Sequence, residues 1–177
     1  AKLMATENLD VVHKQISTAY FNVKTRELGL PIWDKASPHV YDLLVGHEVG
    51  HALFTPTDFP DYYSEIDSEE NHSAVQSYIN VVEDARIEKL MKRKYSGLSK
   101  SFFKGYSEMF DDDFFGLEDR KPSDFSFLDR INLHFKVGNF LKVPFSDDEK
   151  VMVEKVAKAE TFDDVISVVK EIYTKAK

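Results

Sequence analysis

Val45-Gly46-His47-Glu48-Val49-Gly50-His51 is the stretch from which the rest of this chain is read. It has the spacing His-Glu-x-x-His inside a run with helical patterning. A helix turns about 100° per residue, so side chains four apart share a face, their roots about 6 Å apart. His47 and His51 can therefore direct two imidazoles at one Zn²⁺, each at about 2.0–2.1 Å. Glu48 lies one step round the helix, placed for a general base rather than a ligand. Leu43, Leu44, Leu53 and Phe54 flank the motif and mark the helix as buried, a setting in which polar side chains require partners. The alternative is an exposed helix with two unrelated histidines. Those apolar flanks weigh against it.

Composition narrows the chemistry further. A chain of 177 residues is expected to form one domain with a substantial core. Its net charge of −8 leaves no basic surplus for phosphates, so a general nucleic-acid binder is not expected. There is no cysteine, so any zinc must be held by histidine and carboxylate. No apolar run approaches the length of a membrane span, and no secretory signal pattern is evident. A reducing, cytoplasmic setting is the expectation.

Ser37-Pro38 opens the motif helix, serine as N-cap and proline in the first turn, and Pro56 closes it after Phe54. Gly46 and Gly50, four apart, leave one flank of that helix bare, which implies close approach of another backbone, that of a packed neighbour or of a substrate. Upstream, Leu9, Val12, His13 and Ile16 have helical spacing, and a short helix is expected over 8–17. Ala19-Phe21-Val23 and Leu28-Leu30-Ile32 alternate with other residues around the polar turn 24–27, the pattern of a β-hairpin reaching Trp33. Pro31 confines its second run to a sheet edge or a strand end. Such an edge either holds an extended peptide or simply covers the core.

Downstream, a helix is expected from near Glu69 and Glu70 to about Lys94. Val75, Ile79, Val82 and Leu90 share one face, and Glu83 falls at its border between Ile79 and Ile87. A carboxylate on an apolar face is costly unless it meets a cation or a metal. That singles out Glu83 as third zinc ligand, against the alternative of a salt bridge to Arg86. Asp84 and Glu88 project away, Asp84 toward solvent or a nearby lysine. Ser101–Phe110 and Phe125–Phe140 read as further helices. Asp111-Asp112-Asp113 reads as an acidic turn without the ligand spacing of a calcium loop. Ser146-Asp147-Asp148-Glu149 and Thr161-Phe162-Asp163-Asp164 are capping boxes opening two amphipathic tail helices, a scaffold or a docking surface for a protein partner.

His47-Glu48-Val49-Gly50-His51 together with Glu83-Asp84-Ala85-Arg86-Ile87-Glu88 resembles the zincin metallopeptidases whose third ligand is glutamate. More narrowly, the pair resembles predicted metallopeptidases of bacteria and tailed phages, often joined to a von Willebrand factor A domain. The resemblance covers about residues 18–91. It implies His47, His51 and Glu83 as zinc ligands, Glu48 as the base, and a peptide or protein substrate. In thermolysin-type enzymes an asparagine immediately precedes the ligand glutamate and an aspartate follows it by one turn. Here Asn80 is three residues before Glu83 and Ile87 four after. The carboxylate that orients a histidine is thus missing from its usual place.

These readings combine into an α+β, predominantly α, zincin-like domain with a small N-terminal β-hairpin. The zincin-like core is expected over 1–100 and a helical extension over 101–177. The expected activity is zinc-dependent peptide-bond hydrolysis with Glu48 as general base, and Tyr106, His134 and Arg130 are candidates for stabilising the oxyanion. Two rivals are a zinc-stabilised binding module without turnover and an accessory domain whose site is vestigial.

Overall fold

A computed structural model describes residues 9–32, 36–67 and 71–176, apart from the side chains of Phe59 and Pro60. Helices dominate: α1 (Pro38–Phe54), α2 (Tyr63–Ile66), α3 (His72–Lys94), α4 (Leu98–Asp111), α5 (Phe127–Val137), α6 (Asp147–Lys158) and α7 (Phe162–Ala176). Strands β1 (Asp10–Lys14), β2 (Tyr20–Phe21) and β3 (Glu27–Pro31) form a single sheet in the order β1-β3-β2. The class is α+β, mostly α. Among the described residues no helix is long and apolar enough to cross a membrane.

The hairpin is present, with β2 antiparallel to β3 and Tyr20 opposite Gly29. Its turn is built on Asn22, whose side-chain oxygen accepts from the Lys24 and Thr25 amides at 2.9 and 3.0 Å. Arg26 then takes a positive φ of 62°, and its guanidinium reaches the Ala52 carbonyl at 2.8 Å. That cation satisfies one of the unpaired carbonyls in the last turn of α1, where the helix dipole favours positive charge.

The helix expected over 8–17 is instead strand β1, parallel to β3 from Asp10 opposite Glu27 to Lys14 opposite Pro31. The adjacent β-branched Val11 and Val12 favour a strand, and the free edge of β3 supplies hydrogen-bonding partners that an isolated short helix lacks. β3 is therefore the central strand, buried over Leu28–Pro31, and Pro31 sits at its end. Asn8, Trp33, Glu69 and Glu70, which the expected first helix, hairpin and long helix included, lie outside the described residues.

Helix α1 begins as expected: Ser37 Oγ accepts from the Val40 amide at 3.2 Å, and Pro38 occupies the first turn. The two tail helices open on closed capping boxes. Ser146 exchanges hydrogen bonds with Glu149, and Thr161 does the same with Asp164.

The chain forms two compact units. One comprises residues 1–57 and 87–112, and contains the sheet, α1, the C-terminal end of α3, and α4. Its buried side chains include Leu28, Leu30, Leu43, Val49, Ile87, Met91 and Phe102. The other comprises residues 58–86 and 113–177. Its core joins Val75, Ile79 and Val82 of α3 to Ile131 of α5 and to the apolar faces of α6 and α7, among them Val156, Val165, Val169 and Ile172. The buried Asp67 carboxylate in that unit accepts from the Tyr173 hydroxyl at 2.5 Å.

Glycine allows close packing around α1, but against side chains rather than the expected backbone. A Cβ on Gly50 would lie 2.8 Å from Ile87 Cδ1 and 3.0 Å from Met91 Cγ. One on Gly46 would meet Phe102 and Leu98 at 3.4–3.5 Å, ordinary contact. The close backbone approach occurs at Gly105 of α4, where a Cβ would come within 2.8 Å of the His39 carbonyl oxygen. Gly105→Ala is accordingly expected to destabilise the protein by about 1–3 kcal/mol, because a helix backbone must shift. Gly46→Ala should be neutral or stabilise by up to about 1 kcal/mol through helix propensity. Urea unfolding of the two variants checks the contrast, and equal losses in both would show that the α1–α4 approach does not depend on Gly105.

Candidate metal centre

His47 and His51 project from the middle of α1, a helix buried along Leu43, Val45, Val49 and Ala52. Their Nε2 atoms face each other at 3.3 Å, with ring centroids 4.9 Å apart and planes at 74°. Two nitrogens bound to one tetrahedral zinc at about 2.0–2.1 Å stand about 3.3–3.4 Å apart. The separation is thus that of two ligands on one ion.

The outer nitrogens explain why the rings hold this pose. His47 Nδ1 lies 2.7 Å from Oε1 of Glu88, and His51 Nδ1 lies 2.8 Å from Oγ1 of Thr55. Glu88 is on the last turns of α3 and is only 4% exposed. Thr55 is the C-cap of α1, and its amide also donates to the His51 carbonyl at 3.0 Å. Each imidazole is therefore gripped through Nδ1 while Nε2 points inward. Against an ionised carboxylate, which only accepts, His47 would carry its proton on Nδ1 and present a lone pair at Nε2. Two Nε2 atoms this close are reconciled by one shared proton or by one cation. The outer carboxylate–imidazole contact is the arrangement that fixes a metal-binding histidine.

Glu48 is half-buried beside His47 and makes no hydrogen bond or ion pair with another described residue. Its carboxylate is left to interact with water or a ligand.

Glu83 occupies a different environment from the metal shell expected of it. Its two oxygens accept from Arg86 Nη2 at 2.5 Å and Nε at 3.0 Å, and both side chains are buried. Arg86 also donates to the Glu160 carbonyl at 3.2 Å and lies over the Phe162 ring. The salt bridge, weighed as the alternative use of Glu83, is what the structure contains. Glu88, expected to project away, is instead buried and bonded. The apolar stripe of α3 was read from one face, but the helix is buried on more than one side at 86–88.

Asp84 pairs with a lysine as expected, Lys136 Nζ standing 3.3 Å from its carboxylate. On α3 it lies one turn before Glu88, about 40° away round the axis, whereas Glu83 lies about 140° away. The histidine pair of α1 has the makings of a metal site. Histidine and carboxylate without thiolate suit Zn²⁺ and other divalent first-row ions, so the residues fit the metal that the motif implies.

The three oxyanion candidates have other duties. The Tyr106 hydroxyl on α4, buried, donates to Oε1 of Glu88. Arg130 on α5 forks onto Glu149 with two bonds of 2.8 Å and also donates to the Phe125 and Pro144 carbonyls. Its guanidinium holds the Glu149 carboxyl below the usual carboxylate range. His134 stands edge-on to the Phe135 and Phe145 rings. Sequence reasoning missed Thr55 and Glu88 as the histidines' partners. The spacing His51 to Thr55, one helical turn, was the available signal for the first.

Compared with protein-family models, curated proteins and solved structures, the chain matches none.

Removing Glu83 would strand the Arg86 guanidinium in a buried setting. Glu83→Ala is expected to cost about 3–5 kcal/mol in denaturant unfolding, the usual consequence of breaking a buried pair from one side. A loss below about 1 kcal/mol would show the pair to be dispensable.

Proposed function

We propose that this chain is a zinc-dependent peptidase of the zincin kind. His47 and His51 hold the metal, as the His-Glu-x-x-His spacing implies. The observation that carries the reading is the pair of Nε2 atoms at 3.3 Å, each ring held from behind through Nδ1. Glu48 beside them strengthens the hydrolytic reading over a purely structural zinc site, which needs no base.

Bound there, zinc would supply a Lewis acid and lower the pKa of water toward about 7. The chain's own residues do the remaining work. Glu48 takes a proton from the attacking water and returns it to the departing amine. Glu88 and Thr55 keep the imidazoles oriented through the cycle.

Metal analysis of the purified protein, followed by digestion of a peptide library with and without chelator, tests the activity. Glu48→Gln should retain the metal and lose hydrolysis by at least about 100-fold, the upper range for a positioned base falling near 10⁴-fold. Turnover by that variant at the wild-type rate would refute the assigned base. His51→Ala should weaken zinc binding severely, because only one imidazole of the pair remains. Glu83→Gln, a gentler change than alanine, should leave affinity within a few-fold in the folded protein. The reverse ranking in a zinc titration would restore Glu83 to the metal shell.

A further inference from the structure

Glu88 and Tyr106 form a pair with no counterpart in the motif that marks the site. Both His47 Nδ1 and the Tyr106 hydroxyl converge on the same oxygen, Oε1 of Glu88. A carboxylate oxygen has two lone pairs, and two donors fill them. His47 can be one of those donors only with its proton on Nδ1. The three residues come from α1, α3 and α4 of one compact unit, and their burial shields the contact from water: Glu88 is 4% and Tyr106 5% exposed.

We infer that Glu88 and Tyr106 are positioning residues: Glu88 fixes the Nδ1–H tautomer of His47, and Tyr106 fixes the rotamer of Glu88. His47 Nε2 is thereby turned toward His51 before any metal arrives. An imidazole free to exchange tautomers would spend part of its time with Nε2 protonated, a form that cannot ligate. A carboxylate without the tyrosine would lose one of the two contacts that aim it. Tyr106 thus acts through Glu88 and His47 rather than on a substrate, which replaces the oxyanion role expected from sequence.

This inference rests on the proposed metal site for its consequence, but its physical content is a property of the metal-free protein. The test has two arms. In the first, long-range ¹H–¹⁵N spectra of metal-free protein at pH about 8, above the usual imidazole titration, report the tautomer of each histidine. Wild type should show His47 in the Nδ1–H form, and Tyr106→Phe and Glu88→Ala should show a mixture of tautomers. Glu88→Gln is the fallback should Glu88→Ala fail to fold. His47 protonated on Nε2 in the wild type, or a tautomer unchanged in every folded variant, would overturn the inference.

In the second arm, zinc ion is titrated calorimetrically into the same proteins. Affinity should fall roughly 10–100-fold in the Glu88 variant and about 10-fold in Tyr106→Phe, the range for residues that orient a ligand. Wild-type affinity in both variants would overturn the inference and leave the metal reading standing. Absence of zinc binding by the wild type would instead refute the proposed function, and the spectra would still decide the tautomer question.

Discussion

The Glu88 carboxylate is the constraint from which the arrangement around the histidines follows. Burying an ionised carboxylate is costly unless hydrogen bonds replace the lost water. Here one oxygen receives two donors, from helices α1 and α4, while α3 supplies the carboxylate itself. Satisfying that charge requires the three helices to approach closely. Gly50 lets α1 meet Ile87 and Met91 of α3, and Gly105 lets α4 reach the backbone of α1. The apolar contacts bring the helices together without direction, and the hydrogen bonds choose which rotation of α1 is adopted. With that rotation chosen, His47 and His51 must share a face, since they are one turn apart.

Helix α3 solves the same electrostatic problem twice, by different means. Glu83 and Glu88 are five residues apart, about 140° round the axis, and both are buried. Glu83 is neutralised by Arg86 three residues on, a cation brought by its own helix. Glu88 is bonded by side chains from other helices. A locally paired carboxylate is saturated by its own element and is poorly available to a metal. One that draws on an imidazole instead sets that imidazole's proton and direction. The two glutamates look alike in the sequence, yet Glu83 closes on Arg86 and Glu88 on His47.

What could be read from sequence followed the range of the interaction involved. The start of α1 at Ser37-Pro38, its stop at Pro56, the hairpin and both tail capping boxes are set by residues within about ten positions of one another. All of them are found. The first element failed because Leu9, Val12, His13 and Ile16 happen to fit a helix, while the deciding partner of β1 is the edge of β3, more than a dozen residues later. The phase of α3 was assigned from one apolar stripe, which suffices for a half-buried helix. It fails at Arg86, Ile87 and Glu88, where three successive residues are buried. Glu88 carried no local sign of burial, because the groups that satisfy it stand 41 residues before it and 18 after.

Among the described residues every buried side-chain nitrogen or oxygen has a hydrogen-bond partner. The polar groups of this core are therefore used, and the pattern of use separates structure from chemistry. Arg130 and Glu149 stitch α5 to α6, Asp67 receives the Tyr173 hydroxyl, and Arg86 closes on Glu83. In the histidine pair, Glu88 holds the His47 proton on Nδ1 and turns its Nε2 to the neighbouring ring. Glu48, alongside and only half-buried, keeps access to water that Glu83 and Glu88 have lost. Two carboxylates are consumed by packing and orientation; the one that follows His47 in the sequence remains partly exposed. That division of labour among glutamates, rather than the five-residue motif alone, sets this helix apart from an ordinary buried helix with two histidines.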